Sequence, residues 1–213
     1  MPLPRHIIWD WNGTLNDDVR AAVNAVNLLL LERGLPSVDI ARHRATFDFP
    51  VRDYYTALGF RLESEDWDLL ARRFNEAFHA DATSRLFPGT VPTLTRLAEA
   101  GVAMSVLSAC EQTQLDAALE RSGIRHFLVA VSGLRHRSAD SKIATARAHF
   151  ALVGAEPAHT WIVGDTTHDK EVADAIGCRC LLVGAGYQTR GRLMATGAPV
   201  LEGIADVAGY FGL

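Results

Sequence analysis

The sequence predicts an α/β protein, a doubly wound parallel sheet interrupted by an all-helical insert. Three observations carry that prediction. After residue 87, short runs that are apolar throughout alternate with helical stripes, and strands without a polar face belong to sheets covered on both sides. From Asn16 to Leu86 the periods are helical and no strand is predicted. The 213 residues, 48% hydrophobic and 22% charged, suit one core with an inserted piece.

In chain order, His6 to Trp9 reads as a strand ended by Asp10 and a turn containing Gly13. Asp17 and Asp18 read as the N-terminal charges of a helix whose stripe is Val19, Val23, Val26 and Leu30. Gly34 and Pro36 stop it. A shorter helix is expected from Asp53 to Leu58, and Ser64 is expected to cap the next, whose stripe of Trp67, Leu70, Phe74 and Ala77 reads as insert core, as does Phe78. Beyond Phe87-Pro88-Gly89, helices built on Leu94 and Leu97, on Glu111 to Ser122, on Ser141 to Val153 and on Asp169 to Ile176 separate strands. Those strands are Val102 to Leu107, Phe127 to Val131, Thr160 to Val163 and Arg179 to Val183, and a short strand and helix end the chain. The resulting boundaries are 1–15 and 87–213 for a discontinuous core and 16–86 for the insert.

Charge and cysteine usage narrow the function class. Lys plus Arg total 21 against 25 Asp plus Glu, a net charge of −4, which argues against a nucleic-acid partner because such a module shows a basic stripe. No run approaches the length of a membrane span and no signal peptide is read at the N-terminus. Cys110, Cys178 and Cys180 are an odd count without metal-ligand spacing, so reduced thiols and a cytoplasmic setting are expected.

Ligands of open parallel sheets sit beyond the carboxyl ends of the strands, at a switch in strand order. Asp10, Ser108 and Asp165 each end a predicted strand there, Asp169 follows Asp165 by one helical turn, and Lys142 opens a nearby helix. Clustered carboxylates call for a hard cation such as Mg²⁺. A cation beside a hydroxyl and an ammonium makes a pocket for a phosphate, with backbone amides of Asn12, Gly13 and Thr14 as further donors. A carboxylate in line with the phosphorus attacks it, and Asp10 is the candidate.

Asp10-Trp11-Asn12-Gly13-Thr14-Leu15, Ser108, Lys142 and Gly164-Asp165-Thr166-Thr167-His168-Asp169 resemble the four ordered motifs of the haloacid dehalogenase superfamily. The insert after the first motif resembles the helical cap of its phosphoglycolate-phosphatase-like branch, set on a Rossmann-like core. The resemblance spans nearly the whole chain. It implies a Mg²⁺-dependent phosphatase of small phosphorylated metabolites, a monomer or homodimer, with Asp10 as nucleophile. It also implies Mg²⁺ held by Asp10, the main-chain carbonyl of Asn12 and Asp165, phosphate bound by Ser108 and Lys142, and Asp169 supporting the metal or Lys142.

One departure bears on mechanism. Phosphatases of this family usually carry Asp where this chain has Asn12, and an amide does not protonate a leaving group. Three explanations stand: a substrate with a good leaving group such as an acyl phosphate; another acid, with His168, His136 or a substrate group as candidates; or a phosphate-binding or regulatory protein with little turnover. In the insert, Arg52 offers a fork for a carboxylate or phosphate, and Arg52, Tyr54 and Tyr55 either face the substrate or serve the surface and the core. The acidic Asp165–Asp169 motif argues against a metal-free dehalogenase, and the insert against a receiver-type signalling domain.

Overall fold

The first strand, β1 (His6–Trp9), is buried along its length: Ile7 and Trp9 enter one hydrophobic cluster and Ile8 another. A strand apolar on both sides thus sits inside a sheet with helices on both faces. In the computed structural model, which describes residues 2–134 and 142–213, β1 is followed by β2 (Asn16–Asp17), α1 (Val19–Glu32), α2 (Ile40–Thr46), α3 (Val51–Ala57), α4 (Trp67–Ala80) and β3 (Arg85–Leu86). Then come α5 (Thr90–Glu99), β4 (Ala103–Glu111), α6 (Gln112–Arg121), β5 (Ala130–Leu134), α7 (Lys142–Val153), β6 (Thr160–Gly164) and α8 (Thr167–Ile176). The chain closes with β7 (Arg179–Val183), α9 (Arg190–Met194), β8 (Val200–Leu201) and α10 (Val207–Tyr210).

The six-stranded sheet has the order β5-β4-β1-β6-β7-β8 and every pairing is parallel. Strand order reverses at β1, where Trp9 faces Val106 on one side and Val163 on the other. The residues that follow these three therefore emerge together at one edge. Leu94, Leu97, Leu115 and Val207 cover one face, and Ala146, Val172, Ala173 and Leu193 the other. Cys180 is buried within β7, as its apolar setting predicts.

The helices α1 to α4 form a second hydrophobic cluster around Val26, Leu30, Tyr54 and Leu70. Contrary to the expectation of no strand from Asn16 to Leu86, both ends of this insert pair with each other: Asn16 faces Leu86 and Asp17 faces Arg85 in an antiparallel ribbon. Two residues per strand are too few to show alternation in a sequence. Asp66, not Ser64, caps α4, its carboxylate accepting from the Leu69 amide at 3.0 Å. α2 and α9, with seven and five residues, are shorter than the windows in which helical periods are read. β4 runs past Leu107 to Glu111 through a register irregularity. β5 starts after a 3₁₀ turn that contains Phe127. No helix among the described residues is long and apolar enough to cross a membrane.

Candidate active site

Asp10, Asp165 and Asp169 meet at the switch point, each offering an oxygen within 4.8 Å of the others. Asp10 leaves β1 with its amide bonded to the Val163 carbonyl at 2.8 Å. Asp165 follows β6, and both of its oxygens are held: Oδ1 accepts from Thr14 Oγ1 at 3.0 Å and Oδ2 from the Tyr187 amide at 2.6 Å. Asp169, in the first turn of α8, reaches back to accept from the Thr166 amide at 3.0 Å, its hydroxyl at 2.8 Å and the Asp165 amide at 3.2 Å. All three are buried. Burial, reinforced by the carboxylates of Asp10 and Asp169, holds the Asp165 carboxyl well above its usual range. Three buried oxygen donors that strain one another in this way fit a hard divalent cation.

Glycines make the close approach possible. Gly13 has φ +74°, and a Cβ there would overlap the Asp165 carboxylate and the Tyr187 ring. A Cβ at Gly164 would overlap Asp169, and one at Gly186 would overlap Asp165. Gly186 and Tyr187 belong to the loop after β7, which the sequence reading passed over. The signal was there: two glycines in Gly184-Ala185-Gly186 after an apolar strand, at the same edge as the other motifs.

Gly13 and Thr14 do not face a phosphate through their amides, as the sequence suggested. Gly13 N–H is bonded to the Asn16 carbonyl at 2.8 Å and to Asp18 Oδ1 at 3.1 Å, and Thr14 N–H points to the Trp11 carbonyl at 3.3 Å. They close the turn that carries Asn12. Ser108 is buried, lines the same cavity as Asp10 and accepts from the Cys110 amide at 3.1 Å. Lys142 opens α7, and its side chain lies outside the described residues, as do Ser141 and the Arg135-His136-Arg137 cluster.

Asp18 is the largest departure from expectation. Read as an N-terminal charge of a helix, it does stand at the start of α1, but it is fully buried and accepts from Asn12 Nδ2, from Asn16 Nδ2 at 2.8 Å, from the Gly13 amide and from the Tyr187 hydroxyl. Burial pushes its carboxyl up to about 7, although these hydrogen bonds pull the other way. The clue in the sequence is Asn12 itself: an amide at an acid's position has a donor to give to a neighbouring carboxylate.

Asp10, Asn12, Ser108 and Asp165 form one end of a cavity of about 510 Å³ between the sheet edge and the insert. Phe47, Phe49, Tyr54, Trp67, Phe74 and Phe78 bring aromatic rings to the rest of its wall, beside polar side chains that include Asn75, His79 and Gln114. Trp67, Phe74 and Phe78 thus line the cavity as well as packing on the insert core, because they stand at its half-buried margin. His43 is buried in this wall, its Nδ1 2.7 Å from the Tyr54 hydroxyl and its Nε2 without a hydrogen-bond partner. Burial, with Arg44 nearby, lowers its imidazole to about 4.

Arg52, expected at the phosphate, is exposed with its guanidinium 4.6 Å from the Trp67 ring centre, and it is not part of the cavity wall. His168, a candidate acid, also lies outside the wall. It stacks on Phe49 with ring centres 4.8 Å apart and bonds to Glu171 at 2.8 Å.

The family model for haloacid dehalogenase-like hydrolases matches residues 7–183. The chain belongs to that family. It is 30% identical over 187 residues to the tyrosine-protein kinase PtkA of Mycobacterium tuberculosis, covering 86% of this chain and 63% of PtkA. The chain thus spans under two thirds of that relative's length. It is 28% identical over 207 residues to phosphoglycolate phosphatase 1 of Pseudomonas aeruginosa, covering 93% of this chain and 76% of that one. Its fold matches that of a haloacid dehalogenase-like hydrolase from Streptococcus pneumoniae with a TM-score of 0.82, 20% identity and 98% coverage of both chains.

Proposed function

We propose that this protein is a Mg²⁺-dependent hydrolase of small phosphate monoesters that works through an aspartyl-phosphate on Asp10, with the helical insert acting as a cap. The observation that carries the reading is the meeting of Asp10, Asp165 and Asp169 at the end of a cavity that also holds Ser108. The activities named for its relatives, phosphoglycolate hydrolysis and protein-tyrosine phosphorylation, have phosphoryl transfer in common.

Asp10, the main-chain carbonyl of Asn12 and Asp165 would hold Mg²⁺, with Asp169 in support; when bound, the ion neutralises the carboxylates and stabilises charge on the phosphoryl oxygens. Asp10 supplies the attacking oxygen, and its place beyond a central strand presents it to the cavity. Ser108 donates its hydroxyl to a phosphoryl oxygen, and Lys142, by resemblance, adds an ammonium. Asn12 transfers no proton, so the leaving group departs without the usual acid.

Phosphate release from a panel of phosphorylated metabolites, with and without a chelator, tests the reading. Mg²⁺-dependent release abolished by Asp10→Asn is expected, and release indifferent to both treatments contradicts it. A second reading, favoured by Asn12, is a phosphate-ligand binding protein with little turnover. It predicts saturable binding of a phosphorylated ligand with no release above that of Asp10→Asn.

A further inference from the structure

The cavity beyond Asp10 is built for a particular leaving group. Its wall away from the carboxylates carries the aromatic rings of Phe47, Phe49, Tyr54, Trp67, Phe74 and Phe78, with Asn75, His79 and Gln114 as neutral polar groups among them. Among its described lining residues there is no Lys or Arg, and the charged side chains it adds to Asp10 and Asp165 are those of Asp68 and Glu111. Among the described residues, a carboxylate on the leaving group would meet like charge at Asp68 and Glu111 and neutral donors such as Asn75 and Gln114, with no Lys or Arg to offset the loss of its hydration. Arg52, the cation nearest this wall by expectation, is instead stacked on Trp67 outside the lining. The volume of about 510 Å³ is in the range that encloses molecules much larger than a two-carbon acid.

Asn12 points the same way from independent chemistry. With no acid at that position and one of its N–H groups bonded to Asp18, the bridging oxygen must leave with little help. A phenol ionises at about 10, whereas an aliphatic alcohol is far less acidic and resembles water, so a phenolate needs a proton much less as it leaves.

We propose that the substrate is an aryl phosphate, a phosphate monoester of a phenol, whose ring fills the aromatic chamber while its phosphoryl group reaches Asp10; this rests on the phosphatase reading above. In the first step an Asp10 oxygen bonds to phosphorus as the bond to the aryl oxygen breaks, and the electron pair leaves on the phenolate. In the second, a water oxygen bonds to phosphorus, the bond to Asp10 breaks, and the pair returns to the carboxylate. One water proton stays on phosphate and the other reaches the phenolate through solvent.

Two non-hydrolysable ligands separate this inference from its foundation. Benzylphosphonate replaces the bridging oxygen of phenyl phosphate by a methylene, and phosphonopropionate does the same for phosphoglycolate. Calorimetric titration of the Mg²⁺-loaded protein should show benzylphosphonate binding at least about 10-fold more tightly, as burial of one ring in an aromatic pocket allows. Equal or tighter binding of phosphonopropionate, or no binding of benzylphosphonate, overturns the proposal. Phosphate release from phenyl phosphate and phosphoglycolate is measured in parallel. If the binding preference holds while neither ester is hydrolysed, the ligand class stands and the phosphatase reading falls.

Discussion

Asn12 Nδ2 donates to the buried Asp18 carboxylate, and each residue constrains the other. An aspartate at position 12 would place a second carboxylate against Asp18 with no donor between them, and like charges in contact disfavour ionisation of both. The gain from Asn12→Asp should therefore be limited by Asp18, and the exchange Asn12→Asp with Asp18→Asn should raise turnover of alkyl phosphates by about 10²-fold or more, the usual worth of an acid–base group. Steady-state rates of the two variants check this, and no gain from the exchange shows that position 12 does not limit the reaction. Gly13→Ala is expected to be destabilising by about 2 kcal/mol or more, since a left-handed backbone and overlap with Asp165 and Tyr187 add. Its urea midpoint measures the effect. Asp10, Asp165 and Asp169 could be read from the sequence because each follows a strand or lies in the first turn of a helix at the sheet edge, and Ser108 because an apolar run stops before it, although β4 itself continues to Glu111. Asp18 could not: beside Asp17 at a helix start it looks solvated, and only the folded turn at Asn12 to Asn16 buries it.

At the scale of elements, α7 docks on the sheet through a buried polar chain. His149 bridges Ser132 (Nδ1, 2.7 Å) and Ser105 (Nε2, 2.8 Å), and His6 Nε2 reaches the same Ser105 hydroxyl at 2.7 Å. Burial, with His6 nearby, lowers the His149 imidazole to about 4. The unfolded chain takes up a proton near pH 6.5 whereas the native ring resists until about 4, so unfolding binds a proton and stability falls with falling pH in that window. The contribution is fully present above pH 6.5 and amounts to a loss of about 2 kcal/mol at pH 5. His149→Gln, which keeps hydrogen bonding without titrating, should lose about that much less than wild type between pH 7.5 and pH 5 in urea unfolding. An equal loss in both proteins would contradict the assignment. Elements with a long stripe or an unbroken apolar run were legible, and β7 matches its predicted span. The β2–β3 ribbon, α2 and α9 were not, because their lengths give no period and tertiary pairing decides them.

For the whole molecule, the insert is tied to the loop after β7 by main-chain acceptors. Arg44 donates to the carbonyls of Ala185 (2.5 Å) and Gly186 (2.8 Å), while Gln188 and Arg192 donate to the Phe47 carbonyl at 3.1 and 2.5 Å, and Arg192 also pairs with Asp48 at 2.7 Å. The same loop supplies Gly186 and the Tyr187 amide to Asp165, so the wall of the chamber and the carboxylate site share one support. Arg192→Ala should raise hydrogen exchange over residues 40–57 and raise KM more than it lowers the stability of the sheet, the lost charge-assisted bonds being worth about 1–3 kcal/mol. Unchanged exchange there would show that the insert is held by its aromatic contacts alone. That an insert exists was clear from a change of period; which of its residues face the cavity was not, since Trp67 and Phe78 carry the same helical spacing as core positions. Phosphoryl transfer to Asp10 is the step on which the proposed function rests. Mass spectrometry of the protein quenched during turnover of phenyl phosphate with Mg²⁺ should find one phosphoryl group on the peptide containing Asp10, absent from Asp10→Asn. Sustained turnover with no phosphoryl group at Asp10, or turnover retained by Asp10→Asn, would contradict it.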